Sequence, residues 1–418
     1  MPEKHGRSFL RLLLVCAFTL VCALSTQGQT FKVLYNFTGG ADGAGPSGSL
    51  VVDKLGNLYG TAGAGGVFGQ GAVFKLSPNS DGTWTESVIR SFLINGPDGY
   101  NPMSNLIIDA AGNLYGTTAS GGVNDKGTAF ELTPGSSGWS LTLLYSFESY
   151  NGDASHPAGG LITDALGNLY GMAGGGNLSG GVVYELSPGS GGWTESLLYS
   201  FGANGYFPVG NLLFDAAGNL YGATYLGGDL SCDPQGYGCG TVFRLTPTRG
   251  GWKENVLYSF MGPPKDGDYP ATQQLAFDSK GRLYGATLHG GGTGCSLYGC
   301  GSVFRLIHSH TGWNETLIHT FGGGLNGLTP ISGLTFDQAG NAYGVTGAGG
   351  ETTCQCGVVY KLVPGANGKW TYSVLHAFQG SDGAAPESGV ILDSSGNLYG
   401  TTVVGGSSGP GVVYEITP

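Results

Sequence analysis

Charge is what this sequence has least of. Only 11% of its 418 residues are charged, and 17 Lys and Arg face 28 Asp and Glu, a formal net charge of −11. That balance excludes a nucleic-acid partner, because phosphate recognition needs clustered Lys and Arg. Histidine is scarce too, at 7 residues, which leaves little from which to build a metal cage or an acid–base pair. Beyond residue 24 no apolar run is long enough to cross a bilayer, so no transmembrane anchor is expected in the mature chain. The one long apolar run, residues 12–24, follows Lys4, Arg7 and Arg11 and precedes Ser25, Thr26, Gln27 and Gly28. A basic start, a short apolar stretch and small polar residues mark a secretion signal, so residues 1–28 are expected to be cleaved. Val15 before Cys16 and Val21 before Cys22 are too bulky for a lipid-attachment site. Residues 29–418 should form a single exported domain, secreted to the extracellular space or the periplasm.

Glycine is in excess, with 82 residues. It keeps no three-residue period, and instead marks turns in a long repeat. Asp-x-x-Gly-Asn-Leu-Tyr-Gly occupies residues 53–60 (DKLGNLYG). It returns, with some loosening, at Asp109, Asp164, Asp215, Asp278, Asp337 and Asp393. The intervals run from 51 residues (Asp164 to Asp215) to 63 (Asp215 to Asp278). Around each copy the pattern predicts a short apolar strand, a tight turn, a second strand, a Gly-Gly loop and a third strand such as AVFKL at 72–76. A turn carrying Trp84 then leads into a fourth strand ending at Phe92. Four short strands per unit describe one blade of a propeller. The expected fold is all-β, a seven-bladed β-propeller of four-stranded blades.

The closing Phe recurs as Phe37, Phe92, Phe147, Phe201, Phe260, Phe321 and Phe378. A proline precedes every first strand, from Pro46 and Pro102 to Pro386. Tryptophan breaks the count, with six residues only. The missing one belongs to the turn between the last third strand, near Pro418, and the N-terminal segment 31–37 (FKVLYNF). Residues 31–37 should therefore complete the last blade as its outermost strand and close the ring. A linear solenoid or separate modules would want capping repeats rather than half a hairpin at each end.

Six cysteines follow the leader, in three close pairs: Cys232 with Cys239, Cys295 with Cys300, and Cys354 with Cys356. In an exported chain these are expected disulfides, each stapling its own loop. The one-residue spacer between Cys354 and Cys356 makes a tight ring. A metal cluster is the alternative, but no histidine or carboxylate pattern accompanies the thiols.

The combination LYSF, DG, P, D-x-x-GN-LYGTT, GG, VF-x-L and GW resembles the GloVer-type (Gloeo/Verruco) extracellular tandem-repeat family of bacterial secreted proteins. The resemblance covers nearly the whole mature chain. It implies export, and no particular activity. More loosely, the Asp-x-x-Gly-Asn-Leu-Tyr hairpin is similar to NHL blades and the Gly-Gly doublet to Kelch blades.

A ligand is expected on the face that carries the loops between second and third strands and the connections between blades. Those loops vary on a fixed scaffold, and blades four to six hold the insertions and all three cysteine pairs. Tyr237 and Tyr298, with Tyr225 and Tyr269 behind them, could stack on sugar rings or merely pack the loops. His156 and His289 are the histidines of that face. An Asp/Asn-Gly element (Asp42, Asp98, Asn151, Asn204, Asp266, Asn326, Asp382) is expected to make it acidic. The seven turn aspartates are read as hairpin caps. Calcium is the one metal they keep open, and no other cofactor is expected. The axis should be lined by Ser49, Asn105, Gly160, Asn211, Gln274, Gly333 and Gly389, which offer no nucleophile or base. The expected function is binding of carbohydrate, a cell-surface component or a protein. A secreted enzyme acting on a glycan or small ester through His156, His289 and loop carboxylates is the alternative, and a structural envelope or matrix component is another. Lys75, Arg244 and Arg305 of the third strands are expected to form ion pairs with Glu86, Glu254 and Glu315.

Overall fold

The computed structural model describes residues 29–418 apart from 150–152, 158, 177–179, 203–204, 265, 271–273, 293–294, 296–297 and 311. The expected leader, Asn151 and Asn204 lie outside the described residues. Blade 1 shows how a unit forms. Its first strand comes in two pieces, Ala44–Pro46 and Val51–Val52, both antiparallel to Leu58–Ala64. Ala72–Pro78 and Trp84–Ser91 follow. Leu58, Phe74 and Leu76 are wholly buried, whereas Trp84–Ser91 begins by alternating half-buried and exposed residues, as an outermost strand must. Seven such antiparallel units make the ring. Blade 5 holds the loop-face end of its inner strands as a separate ribbon, Gly267–Asp268 against His289–Gly290.

The ring closes as the sequence predicts. Thr30–Asn36 runs antiparallel to Val412–Thr417 as the outer strand of blade 7. Leu34 and Phe37 then pack with Leu50, Leu58 and Phe74 of blade 1. The apolar core is divided into seven clusters, each shared by two adjacent blades. This is why the closing Phe recurs. Each meets the aromatic ring of the next blade's third strand, edge to face except for Phe92, which is tilted on Phe130: Phe37 on Phe74 at 5.0 Å, Phe147 on Tyr184 at 5.0 Å, Phe260 on Phe304 at 5.1 Å.

The repeated aspartate caps its turn. Asp53 accepts the Leu55 and Asn57 backbone N–H groups at 2.8 and 2.9 Å. Its other oxygen accepts Asn57 Nδ2 at 2.7 Å and the Tyr59 hydroxyl at 2.9 Å. In blade 5, Arg282 Nε replaces the asparagine on Asp278 at 2.6 Å. Burial alone would raise the Asp53 pKa, but these four donors together lower it.

Tryptophan has a matching task. Trp139 lies 5.9 Å from the Tyr59 ring of the blade before it, and Trp84 lies 6.2 Å from Tyr399. At the cut in the ring Gln29 stands where the seventh Trp would be. A cavity of about 60 Å³ remains there, lined by Gln29, Tyr343, Leu375 and Ile416 among others. Gln29→Trp should fill it and raise the melting temperature by a few degrees in calorimetry. An unchanged or lower melt would show that the slot is not shaped for an indole.

The expected third-strand ion pairs do not form. The turn pairs Pro78 with Trp84, which sets Leu76, not Lys75, opposite Glu86. Lys75 faces Ser87, Arg244 faces Asn255 and Arg305 faces Thr316, one residue from the expected register. A shift of one residue turns a side chain to the other face of the blade. The third-strand charges serve the tyrosines of the second strand instead. Lys75 Nζ stands 5.8 Å from the Tyr59 ring centre, and Glu131, Glu185 and Glu415 accept the hydroxyls of Tyr115, Tyr170 and Tyr399. His308 lies one residue from the end of the strand Ser302–Ser309 and packs against Trp313.

Candidate functional site

The displaced glutamates point into the seams between blades. There they meet the residue two before the closing Phe and the connecting-loop carboxylate. Tyr35 donates to Asp42 at 3.0 Å, beside Glu86. Tyr145 donates to Asp153 at 3.1 Å, beside Glu195. Tyr258 donates to Asp266 at 2.9 Å, beside Glu315. Tyr199 reaches Glu254 directly at 2.9 Å. Where a histidine replaces the tyrosine, an aromatic ring replaces the glutamate. His319 stacks on Tyr372 at 4.1 Å and His376 on Phe31 at 3.6 Å. Arg90 forms an ion pair with Asp98. Burial, then the neighbouring aspartate, pushes Glu86 up to about 7, Glu195 to about 9 and Glu315 to about 8.

These contacts correct the expectation of an open acidic face. Asp42, Asp98, Asp153 and Asp266 are buried and bonded to the outer strand of the blade just before them. In blade 3 the part falls to Asp153.

The mouth of the loop face is built on a second repeated feature. The residue before each recurrent proline has a positive φ: Gly45, Asn101, His156, Phe207, Tyr269, Thr329 and Ala385, between 52° and 62°. Each donates its N–H to the loop of the preceding blade. Asn101 reaches the Gln70 carbonyl at 2.9 Å, His156 that of Lys126 at 2.7 Å and Tyr269 that of Cys239 at 3.0 Å. Thr329 and Ala385 bond to the Cys300 and Cys356 carbonyls, both at 2.9 Å. The three disulfides, Cys232–Cys239, Cys295–Cys300 and Cys354–Cys356, thus restrain the loops onto which the next blade latches. The proline ring packs on the glycine before the third strand. A Cβ on Gly240, at φ +90°, would lie 2.4 Å from Pro270 Cδ, so only glycine fits there. Latch and proline hold a strained backbone, and the side chain at the latch is free to differ from blade to blade. Strain of this kind collects at functional sites.

Tyr269 gathers an aromatic group around its latch. Its ring stacks on Tyr225 at 4.7 Å and 14°, and meets His289 edge-on at 5.5 Å. His289 lies 5.8 Å from Tyr298. Tyr298 is 58% exposed, so the group opens to solvent. Asp268, paired with His289 in the ribbon, is buried, and so is Asp233 of the blade 4 loop, whose charge acts on it. Burial lowers the His289 pKa and so favours the neutral imidazole.

A model of the Gloeobacter/Verrucomicrobia repeat matches residues 19–233 and again 231–418. The chain belongs to that repeat family. No curated protein matches it in sequence. Among solved structures it is similar to the extracellular domain of a one-component system from B. thetaiotaomicron, with 13% identity and a TM-score of 0.56. The match covers 93% of this chain and 42% of that one, so the chain spans less than half the length of that structure. A luciferin-regenerating enzyme is similar at 16% identity and TM-score 0.46, over 75% of this chain and 91% of its own. A glucose dehydrogenase from Thermus thermophilus is similar at 15% identity and TM-score 0.43, over 93% of this chain and 100% of its own. At such identities the first likeness shows a shared fold alone, and the other two carry no argument.

In this Gloeobacter/Verrucomicrobia repeat protein four of the six residues singled out from sequence meet: Tyr225, Tyr269, His289 and Tyr298. Tyr237 is exposed, its backbone tied to Asp233 and Gly227. His156 stands on blade 3. Phe207, Asp233 and Asp268 were not foreseen. The variable residue before each proline was a visible signal for Phe207, which is 49% exposed at its latch. Two of the amides expected near the axis are already engaged. Asn105 Oδ1 accepts Ser49 N–H at 2.6 Å and Asn211 Oδ1 accepts Gly160 N–H at 2.7 Å, so these amides are spent on the backbone of the neighbouring blade. The cavity there, about 60 Å³, has room for a water or two. A larger groove of about 460 Å³ lies on the opposite face between blades 1 and 2. Its carboxylates, Asp53 and Asp109, are the turn caps and are already committed.

Proposed function

We propose that this is an exported binding propeller that takes a carbohydrate on the loop face of blades 4 and 5. The observation that carries the reading is the aromatic group of Tyr225, Tyr269, His289 and Tyr298, partly exposed and gathered around the Tyr269 latch. Flat rings with polar tips suit the apolar faces and hydroxyls of sugars, and rigid placement lowers the ordering cost on binding. Three disulfides fit an oxidising compartment, and residues 1–28 would be the leader that takes the chain there. Among the described residues no helix is long and apolar enough to cross a membrane.

The test is calorimetry of the mature chain against a panel of soluble glycans, with calcium and with a chelator. One glycan should bind saturably, and Tyr298→Ala or Tyr269→Ala should weaken it by about tenfold or more. Tyr298→Ala should leave the melting temperature unchanged, since that ring is mostly exposed. Binding unaffected by both substitutions would move the site elsewhere, and a blank panel would turn the reading toward a protein partner or a structural role.

A further inference from the structure

Resting on the glycan reading above, we propose that the sugar taken by this sector carries an amine, and that its ammonium is drawn to Asp268 beside the aromatic group. The starting point is a buried carboxyl with one unpartnered oxygen. Asp268 is 4% exposed, and its Oδ1 accepts no hydrogen bond. Nδ1 of His289 is also buried and unpartnered. The two residues stand directly opposite each other in the ribbon Gly267–Asp268 with His289–Gly290, so they share one side of it. The His289 ring is the one that meets both Tyr269 and Tyr298. Asp268 also directly precedes Tyr269 in the chain, and its charge raises the pKa of the Tyr225 and Tyr269 phenols, so the carboxyl lies near those rings. Buried polar atoms without partners are rare and costly, and they recur where a ligand supplies what is missing.

The surroundings select the charge of that ligand. Asp233 faces Asp268 from the blade 4 loop and Asp266 from the same connection. His289 faces it across the ribbon, its neutral form favoured by burial, and Tyr225 and Tyr269 complete the set. Burial and then Asp233 raise the Asp268 pKa to about 7, against the Tyr269 backbone N–H, which lowers it. The site gathers negative charge away from water, and ring faces attract cations as well. A metal ion is the poorer candidate. Among the described residues no group of three or more His, Cys, Asp or Glu could hold one. An ammonium on a sugar ring answers both features, because the ring stacks while the charge lies over the carboxyl.

The experiment is calorimetry at physiological salt near pH 7, where the Asp268 carboxyl, with a pKa of about 7, is substantially ionised. It compares a glucosamine trisaccharide with its N-acetylated counterpart, on the wild-type chain and on Asp268→Asn. The amine form should bind at one site about tenfold tighter, and Asp268→Asn should abolish that preference, leaving both sugars at the level of the acetylated one. Equal affinities in the wild type would overturn the amine inference while the glycan reading stands. A preference that survives in Asp268→Asn, or uptake at several sites through the overall negative charge, would overturn it too. Failure of both sugars, along with the wider panel, would sink the glycan reading itself. Should Asp268→Asn not fold, the wild-type preference is tested by competition. Tetramethylammonium should displace the amine sugar and leave the acetylated one bound; displacing neither refutes the proposal.

Discussion

Glu195→Gln should melt several degrees above the wild type at pH 9 and level with it near pH 5. The folded pKa of Glu195 is pushed up to about 9 from 4.5, first by burial, then by its hydrogen bond to Asp153 and the Asp153 charge. A folded pKa above the unfolded one means that the folded chain holds the proton more tightly. The contribution to stability is whole below pH 4.5 and is lost as pH rises through about 9. Glu315 follows the same course through about 8 beside Asp266, and Glu86 through about 7 beside Asp42. Glutamine keeps the shape and a donor toward Asp153 without ever ionising. The gain at high pH is of order 1–3 kcal/mol after allowance for partial exposure. The turn aspartates act in the opposite sense. Asp53, Asp164 and Asp215 have lowered pKa values, so their contribution is present above 3.8 and is lost as pH falls through the folded value. The wild type should therefore be most stable around pH 5. Melting curves from pH 3 to 9 check both limbs. A wild-type melt flat from pH 5 to 9, or a glutamine variant that melts lower at pH 9, would contradict the seam account.

Removing residues 29–37 should cost far more, and at every pH. The deletion strips the outer strand from blade 7 and exposes the edge of Val412–Thr417. It also opens the seam to blade 1, where Phe37 is wholly buried and Leu34 nearly so. Those two side chains alone account for about 3–6 kcal/mol of burial. Without Phe31, His376 loses its stacking partner. The truncated chain should unfold tens of degrees lower or fail to fold. Phe37→Ala is a milder version, with an expected loss of about 3–5 kcal/mol. A permuted chain separates strand from connectivity. Moving residues 29–37 behind Pro418, through a copy of the turn 79–83 of blade 1, should restore the melt. A deletion that melts like the wild type would mean that the ring does not depend on this strand.

The architecture was legible because the repeat states every local choice seven times. Apolar alternation, Asp-x-x-Gly turns, closing phenylalanines and pre-strand prolines agree with one another. Even the cut in the ring could be found, from one missing tryptophan. The candidate site was legible only in part. Tyr225, Tyr269, His289 and Tyr298 could be selected by loop and residue type, but not shown to meet. Asp268 looked like an ordinary acidic loop residue, and nothing local marks it as buried.

Strand order, blade number and ring closure were thus determined by the sequence alone, since they follow from short-range periodicity and turn chemistry. Register and proximity across blades were decided only by the tertiary structure. One residue of register sends Glu86 and Glu195 into the seams instead of toward the third-strand charges, because side chains alternate faces along a strand. The pairing of Tyr with Glu and of His with an aromatic ring joins residues of adjacent blades, which for His376 and Phe31 lie at opposite ends of the sequence. It becomes visible only when blades stack. The aromatic group likewise draws on two blades, and its buried carboxyl takes its properties from surroundings that no single repeat contains.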